Sequence, residues 1–228
     1  MSNPRETFDR ELKRLHNQVL HLGEEVNESL VKAAYALIER DLRRSRQVIE
    51  VDRWVNDNHI QIMLGCFTLI ATQAPAAKDM RFLAAIVEIA GELERIHDYA
   101  KGIGKISLRL GDASLPPYYV EKLPHMAKLT GDMLRRAVDA FERQDAELAR
   151  SVPPDDDWVD ALFKELYVDI ISFGTENPAE IERASQLEWA MHNLERAADR
   201  AINICEWVIY VATGVYAELD AEYEPVVA

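Results

Sequence analysis

Several features that usually announce a chemistry are scarce in this chain. There are only two cysteines, Cys66 and Cys205, and no CxxC pair. Their apolar surroundings suit two buried thiols in a cytosolic protein better than a disulfide or a metal pair. No apolar run reaches the ~18 residues needed to cross a bilayer. The opening MSNPRETFDRELKRL has no apolar signal-peptide core, which also fits the cytoplasm. Period-two alternation is missing, so strands are not expected. Positive charge is short as well: 26 Lys and Arg face 40 Asp and Glu, for a net charge of −14. A nucleic-acid binder needs a basic face to displace counterions, so that class is excluded. Docking on an anionic membrane by charge alone is excluded for the same reason. Cations and basic protein partners remain. GxSxG, HExxH and Cys/His pairings are absent, and no enzyme is expected. The stretch KGIGK (Lys101 to Lys105) lacks GxxxxGK[ST] and comes after a helical segment, so it is no phosphate loop.

What the chain does contain is helix. Leu12, Leu15, Val19, Leu22, Val26, Ala33 and Leu37 step mainly by three and four, which predicts an amphipathic helix over about residues 5–41. Breaks fall at RDLRRS, QAPAAKD, LGDASLPPYY, SVPPDDDW and FGTENPAE, where polar, Pro and Gly residues cluster. Gly214 closes the last helix, and residues 216–228 read as a frayed acidic tail. These breaks predict six helices.

The two halves of the chain align with each other. A shift of 104 residues puts His21 on His125, Leu30 on Leu134, Asp41 on Asp145 and Trp54-Val55 on Trp158-Val159. A shift of 103 puts TQAPA on TENPA, and one of 101 puts LERIHDYAKGI on LERAADRAINI. The expected fold is therefore all-α, two tandem pseudo-repeated three-helix bundles packed together. The first spans residues 1–112 and the second 113–215.

Each copy carries an ExxxD pair late in its third helix: Glu94 and Asp98, then Glu195 and Asp199. These acids share one helical line beside the apolar stripe. Reflected through the loop between Thr72 and Asp79, Glu94 lands on Asp57 of the second helix. The equivalent operation takes Glu195 to within a turn of Asp157 and Asp160. Glu28 and its counterpart Asp132 come within about a turn of the same levels, and Asn203 extends the second line. Like charges at (i, i+4) cost about 0.2–0.5 kcal/mol on an isolated helix. Facing acids in a partly dry groove add to that cost. A bound cation is one remedy, and oxygen ligands suit Mg, Mn, Ca or Fe, with Zn possible. The expected metal residues are thus Glu94, Asp98, Glu195, Asp199, Asp57, Asp160 and Asn203. Solvated acids, with Lys101 and Lys105 neutralising the first copy, are the other reading. Glu94-xx-His97 also matches half of a ferritin-like di-iron motif, an alternative that predicts a carboxylate-bridged metalloenzyme. The second copy has Ala198 in place of His97.

Two three-helix units, each with LER..D late in the third helix and a Pro-containing loop before it, resemble the PhoU family of phosphate-uptake regulators. ALIERD (Ala36 to Asp41), DAFERQD (Asp139 to Asp145) and INICEWVIYVATG (Ile202 to Gly214) extend the resemblance over residues 5–215. The family's usual motif is similar to LERIGD; His97 and Ala198 replace its Gly while both acids remain. The resemblance implies a cytoplasmic helical adaptor that forms a homo-oligomer, such as a dimer, and binds metal clusters through the ExxxD acids. It further implies partnership with a phosphate ABC transporter, through its ATPase, and with a sensor histidine kinase. In that role it would hold the phosphate-starvation response off.

Overall fold

The computed structural model describes residues 4–219. Six long helices account for most of them: α1 (Pro4–Glu39), α2 (Leu42–Gln73), α3 (Ala77–Leu110), α4 (Pro117–Arg143), α6 (Asp156–Glu176) and α7 (Ile181–Thr213). A five-residue helix, α5 (Ala146–Arg150), and two 3-10 turns, Pro153–Asp155 and Pro178–Glu180, complete the chain. No strand occurs among the described residues.

The repeat is visible in how the helices begin and end. Arg40 and Gln144 both adopt left-handed φ, 57° and 52°, which ends α1 and α4. The next residue bonds back across the last turn in each case, Asp41 N to Ala36 O at 2.8 Å and Asp145 N to Ala140 O at 2.9 Å. These are the C-terminal bonds that satisfy orphan carbonyls. Asp41 then caps α2 and Asp145 caps α5, each accepting from two backbone N–H groups.

Beyond the caps the copies diverge. In the first, α2 runs unbroken for 32 residues. In the second, Pro153 and Pro154 fall where Ile49 and Glu50 stand in the first. Proline lacks the N–H that a helix interior needs and clashes with the preceding turn. One helix therefore becomes α5, a 3-10 turn and α6, which is why a seventh helix joins the expected six.

Helices α1, α2 and α3 form one bundle, and α4, α6 and α7 the other. The halves meet along two seams, α3 against α7 and α1 against α4. The α1–α4 crossing relies on small residues. A Cβ on Gly23 would lie 2.8 Å from Val138 Cγ2, and one on Gly131 would lie 2.7 Å from Val31 Cγ2. The core is continuous through both halves, with Leu22, Leu30, Ile86, Leu93, Leu134 and Leu194 all at 0% exposure. Burial of aliphatic surface on this scale supplies the main driving force for the fold.

Cys66 and Cys205 are buried free thiols, and burial pushes the pKa of each up to about 12. Of the two aligned tryptophans, Trp54 is 36% exposed and Trp158 66%. The start of the C-terminal tail is also not frayed. Tyr216 Oη donates to Glu206 at 2.9 Å, and Leu219 N donates to the same carboxylate at 2.8 Å. Residues 220–228 lie outside the described residues.

Candidate metal centre

In the first copy, Glu94 and Asp98 occupy adjacent turns of α3, with Leu93, Ile96 and His97 turned into the core. Gly91 leaves the second helix free to approach, and His59 Nε2 lies 3.9 Å from where its Cβ would be. Further along the same hairpin, Lys101 of α3 meets Asp52 of α2. The Lys101 Nζ donates to Asp52 at 2.7 Å and to Asp98 at 2.6 Å. One ammonium thus joins both helices and one acid of the motif. Burial works to lower the Lys101 pKa, but the bonds to Asp52 and Asp98 prevail and it is raised. Burial raises Glu94, and the neighbouring Asp98 charge adds to this; His59 and Lys101 oppose it.

The second copy has the same acids without that ammonium. Asp156, the first residue of α6, stands where Asp52 stands in the first copy. The position of Lys101 is taken by Ile202, which is 1% exposed. Glu195 is pushed up to about 7, chiefly by burial and then by the charges of Asp199 and Asp160, with Arg196 opposing. Its Oε2 is buried without a hydrogen bond; His192 Nδ1 lies 3.5 Å away but is not aligned to donate. A carboxylate so placed is an acceptor in want of a positive partner.

The structure separates the residues singled out by spacing into several neighbourhoods. Glu94 and Asp98 lie on one face with Asp52. Glu195, Asp199 and Asp160 share a second neighbourhood across α7 and α6, where Asp160 also accepts from Lys164 at 2.9 Å. Asp57 is exposed, and its carboxylate sits 3.9 Å from Arg53. Asn203 turns to the other half, with its Nδ2 3.4 Å from Glu92 Oε2. Glu28 lines an α1–α4 groove with Asp139 and Glu142, and Asp132 pairs with Arg135 at 3.3 Å. Two residues that the spacing argument passed over, Asp52 and His59, are the ones the second helix directs toward the first motif. Asp52 was detectable: the shift that aligns Trp54 with Trp158 also aligns it with Asp156.

His97 is packed in the core at 0% exposure. Burial holds its imidazole below the usual range, and neither nitrogen bonds to a described residue. The Glu-xx-His half-motif is thereby split, with its histidine among apolar side chains.

Among the described residues, no three His, Cys, Asp or Glu side chains already converge closely enough to hold a metal ion. What the second copy offers is an anionic seat of one or two carboxylates. That suits an ion that keeps several waters, as Mg²⁺ does, better than one requiring a full protein cage. The first copy fits a metal poorly, because Lys101 already occupies the space between its acids.

Against known proteins, residues 19–107 and 123–208 each match the PhoU domain, one match per half. A phosphate-specific transport system accessory protein PhoU homolog from Pseudomonas putida is 34% identical over 207 residues, covering 91% of this chain and 81% of that protein. The crystal structure of PhoU from Pseudomonas aeruginosa superposes with a TM-score of 0.87 at 33% identity, over 91% of this chain and 100% of that one. That of the phosphate transport system regulatory protein PhoU from Streptococcus pneumoniae gives 0.85 at 33% identity, over 92% and 99%.

Proposed function

The chain belongs to the PhoU family, and from that premise we propose that it is a non-enzymatic regulator of phosphate uptake. It acts in the cytoplasm as a homodimer. It links the ATPase of a phosphate ABC transporter to a sensor histidine kinase and holds the starvation response off when phosphate is plentiful. A divalent ion at the α6–α7 carboxylates braces the second bundle for that role. The observation that carries the reading is the doubled domain match, because each match encloses one ExxxD motif of the repeated bundle. The accessory-protein names of the relatives supply the transport context. The metal part rests on Glu195, a half-buried acid whose Oε2 has no hydrogen bond and which is raised chiefly by burial and then by its acidic neighbours, a state that a cation would relieve.

Two measurements test the proposal. Deleting the gene should switch on phosphate-starvation genes in phosphate-rich medium, and the wild-type copy should silence them again. Unchanged expression in the deletion strain overturns the regulatory reading. Protein purified without a His tag should retain more metal than the Glu94→Ala/Asp98→Ala/Glu195→Ala/Asp199→Ala variant. Equal metal contents overturn the metal reading.

A further inference from the structure

We propose that the basic end of the α3–α7 seam binds a small phosphate monoester that carries a planar ring, a nucleoside monophosphate being the simplest example. The proposal stands apart from both the phosphate-uptake reading and the metal reading, and neither has to hold for it. The two helices run antiparallel, since Glu92 meets Arg200 and Asn203 toward one end and Gly102 meets Asn193 toward the other. At the latter end a recess of about 270 Å³ opens between Lys105 and Arg109 of α3 and Gln186, Trp189 and Asn193 of α7. On a chain of net charge −14 these two bases are unusual. Both are exposed, they lie one turn apart, and neither pairs with a carboxylate among the described residues. Like charges at that spacing repel. The C-terminal dipole of α3 accounts for Arg109, which lies in its last turn, but Lys105 is a turn further in.

The class of ligand follows from the lining. A phosphate monoester carries about −1.5 to −2 charge at neutral pH, so one group answers both cations, which a single carboxylate cannot do. The guanidinium fork of Arg109 matches two phosphate oxygens. Trp189 is 54% exposed and offers its indole to a ring. Gln186 Oε1 is buried without a hydrogen bond, an acceptor that a hydroxyl or ring N–H satisfies. Gly102 keeps the recess open, because a Cβ there would lie 2.9 Å from Asn193 Nδ2. The volume falls below the ~300–1,000 Å³ of drug-sized sites, which suits a monoester better than a polyphosphate. The other end of the seam supplies a template. The shift of 101 that aligns the ExxxD motifs pairs Lys105 with Glu206, Trp189 with Glu88 and Asn193 with Glu92, and these three acids line a second recess with Trp207. There the chain seats its own Tyr216, whose ring lies 5.2 Å from that of Trp207 and whose hydroxyl donates to Glu206. One end thus holds a ring that brings a donor to an acid. At the other end the charge at that position is inverted, so the matching occupant is a ring that brings an anion to a base.

Equilibrium dialysis of the full chain against radiolabelled AMP tests this. AMP should bind saturably, and Lys105→Met/Arg109→Met should weaken it by about tenfold or more. Trp189→Ala should weaken it by about fivefold or more. All three side chains are exposed, so both variants should melt close to the wild type. Arg46→Met/Arg53→Met removes as much charge from α2 residues that do not line the recess, and should bind AMP as the wild type does. Inorganic phosphate and adenosine, each lacking half of the ligand, should compete only at concentrations roughly tenfold higher than unlabelled AMP. The proposal is overturned if AMP does not saturate, if Lys105→Met/Arg109→Met binds it normally, or if Arg46→Met/Arg53→Met loses as much affinity. If inorganic phosphate competes as well as AMP and Trp189→Ala binds normally, the ring is refuted and free phosphate is the occupant. None of these results alters what the gene deletion or the metal content shows.

Discussion

Glu195 couples a single proton to the stability of the whole chain. In the folded chain it keeps its proton up to pH about 7, whereas the unfolded carboxyl releases it near 4.5. Between those values the folded chain binds more protons than the unfolded one. Stability attributable to this group therefore falls as pH rises from 4.5 through 7, and levels off above. This is opposite to the behaviour of a carboxylate that is salt-bridged in the folded state. Denaturation in chelator should show that slope, and Glu195→Gln should flatten it and gain on the order of 2 kcal/mol at about pH 8. Manganese should reverse the trend, since a ligand that needs the ionised carboxylate binds better as pH rises. A Glu195→Gln chain with an unaltered pH profile would mean that the carboxylate is solvated and the anionic seat does not exist. The residue itself was legible in the sequence as one of a duplicated pair. Its unusual proton affinity was not, because that depends on depth of burial and on which charged groups the fold brings beside it.

At the scale of elements, spacing and turn chemistry were enough to locate the six long helices and the breaks between them, since Pro, Gly and polar turn residues act locally. The short helix α5 escaped notice because Ala146 to Arg150 has room for barely one turn between the Asp145 cap and Pro153. Reflection through a hairpin loop fixes height but not direction. Each residue turns the helix by about 100°, so Asp57 lies exposed beside Arg53, while His59 faces the motif. The same directional rule governs the seam between the halves. Gly131 admits Val31, which already lies 2.7 Å from where a Cβ would be, with Asn27 Oδ1 at 3.3 Å. A stiff β-branched neighbour on a packed helix cannot yield as a long side chain would. Gly131→Leu should thus cost about 1–3 kcal/mol by overpacking, measured by urea denaturation, despite the better helix propensity of leucine. A neutral or stabilising result would show that α1 and α4 can separate there without loss.

For the whole molecule, duplication has produced two bundles that share a core but differ in what holds their acids. Mass action makes the difference measurable. A ligand at about 100 times its Kd stabilises the folded state by roughly 2.7 kcal/mol per site, so two equal sites would give about twice that. For a chain of this length each kcal/mol raises the melting midpoint by about 2–4 °C. Saturating manganese should therefore produce the smaller, single-site increment. Hydrogen exchange should locate it. Added protection should fall on α6 and the facing turns of α7, around Asp160, Glu195 and Asp199, and leave α2 unchanged around Asp52. Because α3 and α7 pack together along a shared seam, some protection can spread into α3 through Glu92, which Arg200 and Asn203 approach to 3.4 Å. Helix α2 instead packs chiefly on α1 and α3, which makes it the reporter. Protection of α2 equal to that of α6 would mean that the halves respond as one body and that the lysine does not set them apart. If the response is confined to α6 and α7, surfaces built on those helices are the ones whose order depends on the ion, and a partner sensitive to metal should dock there.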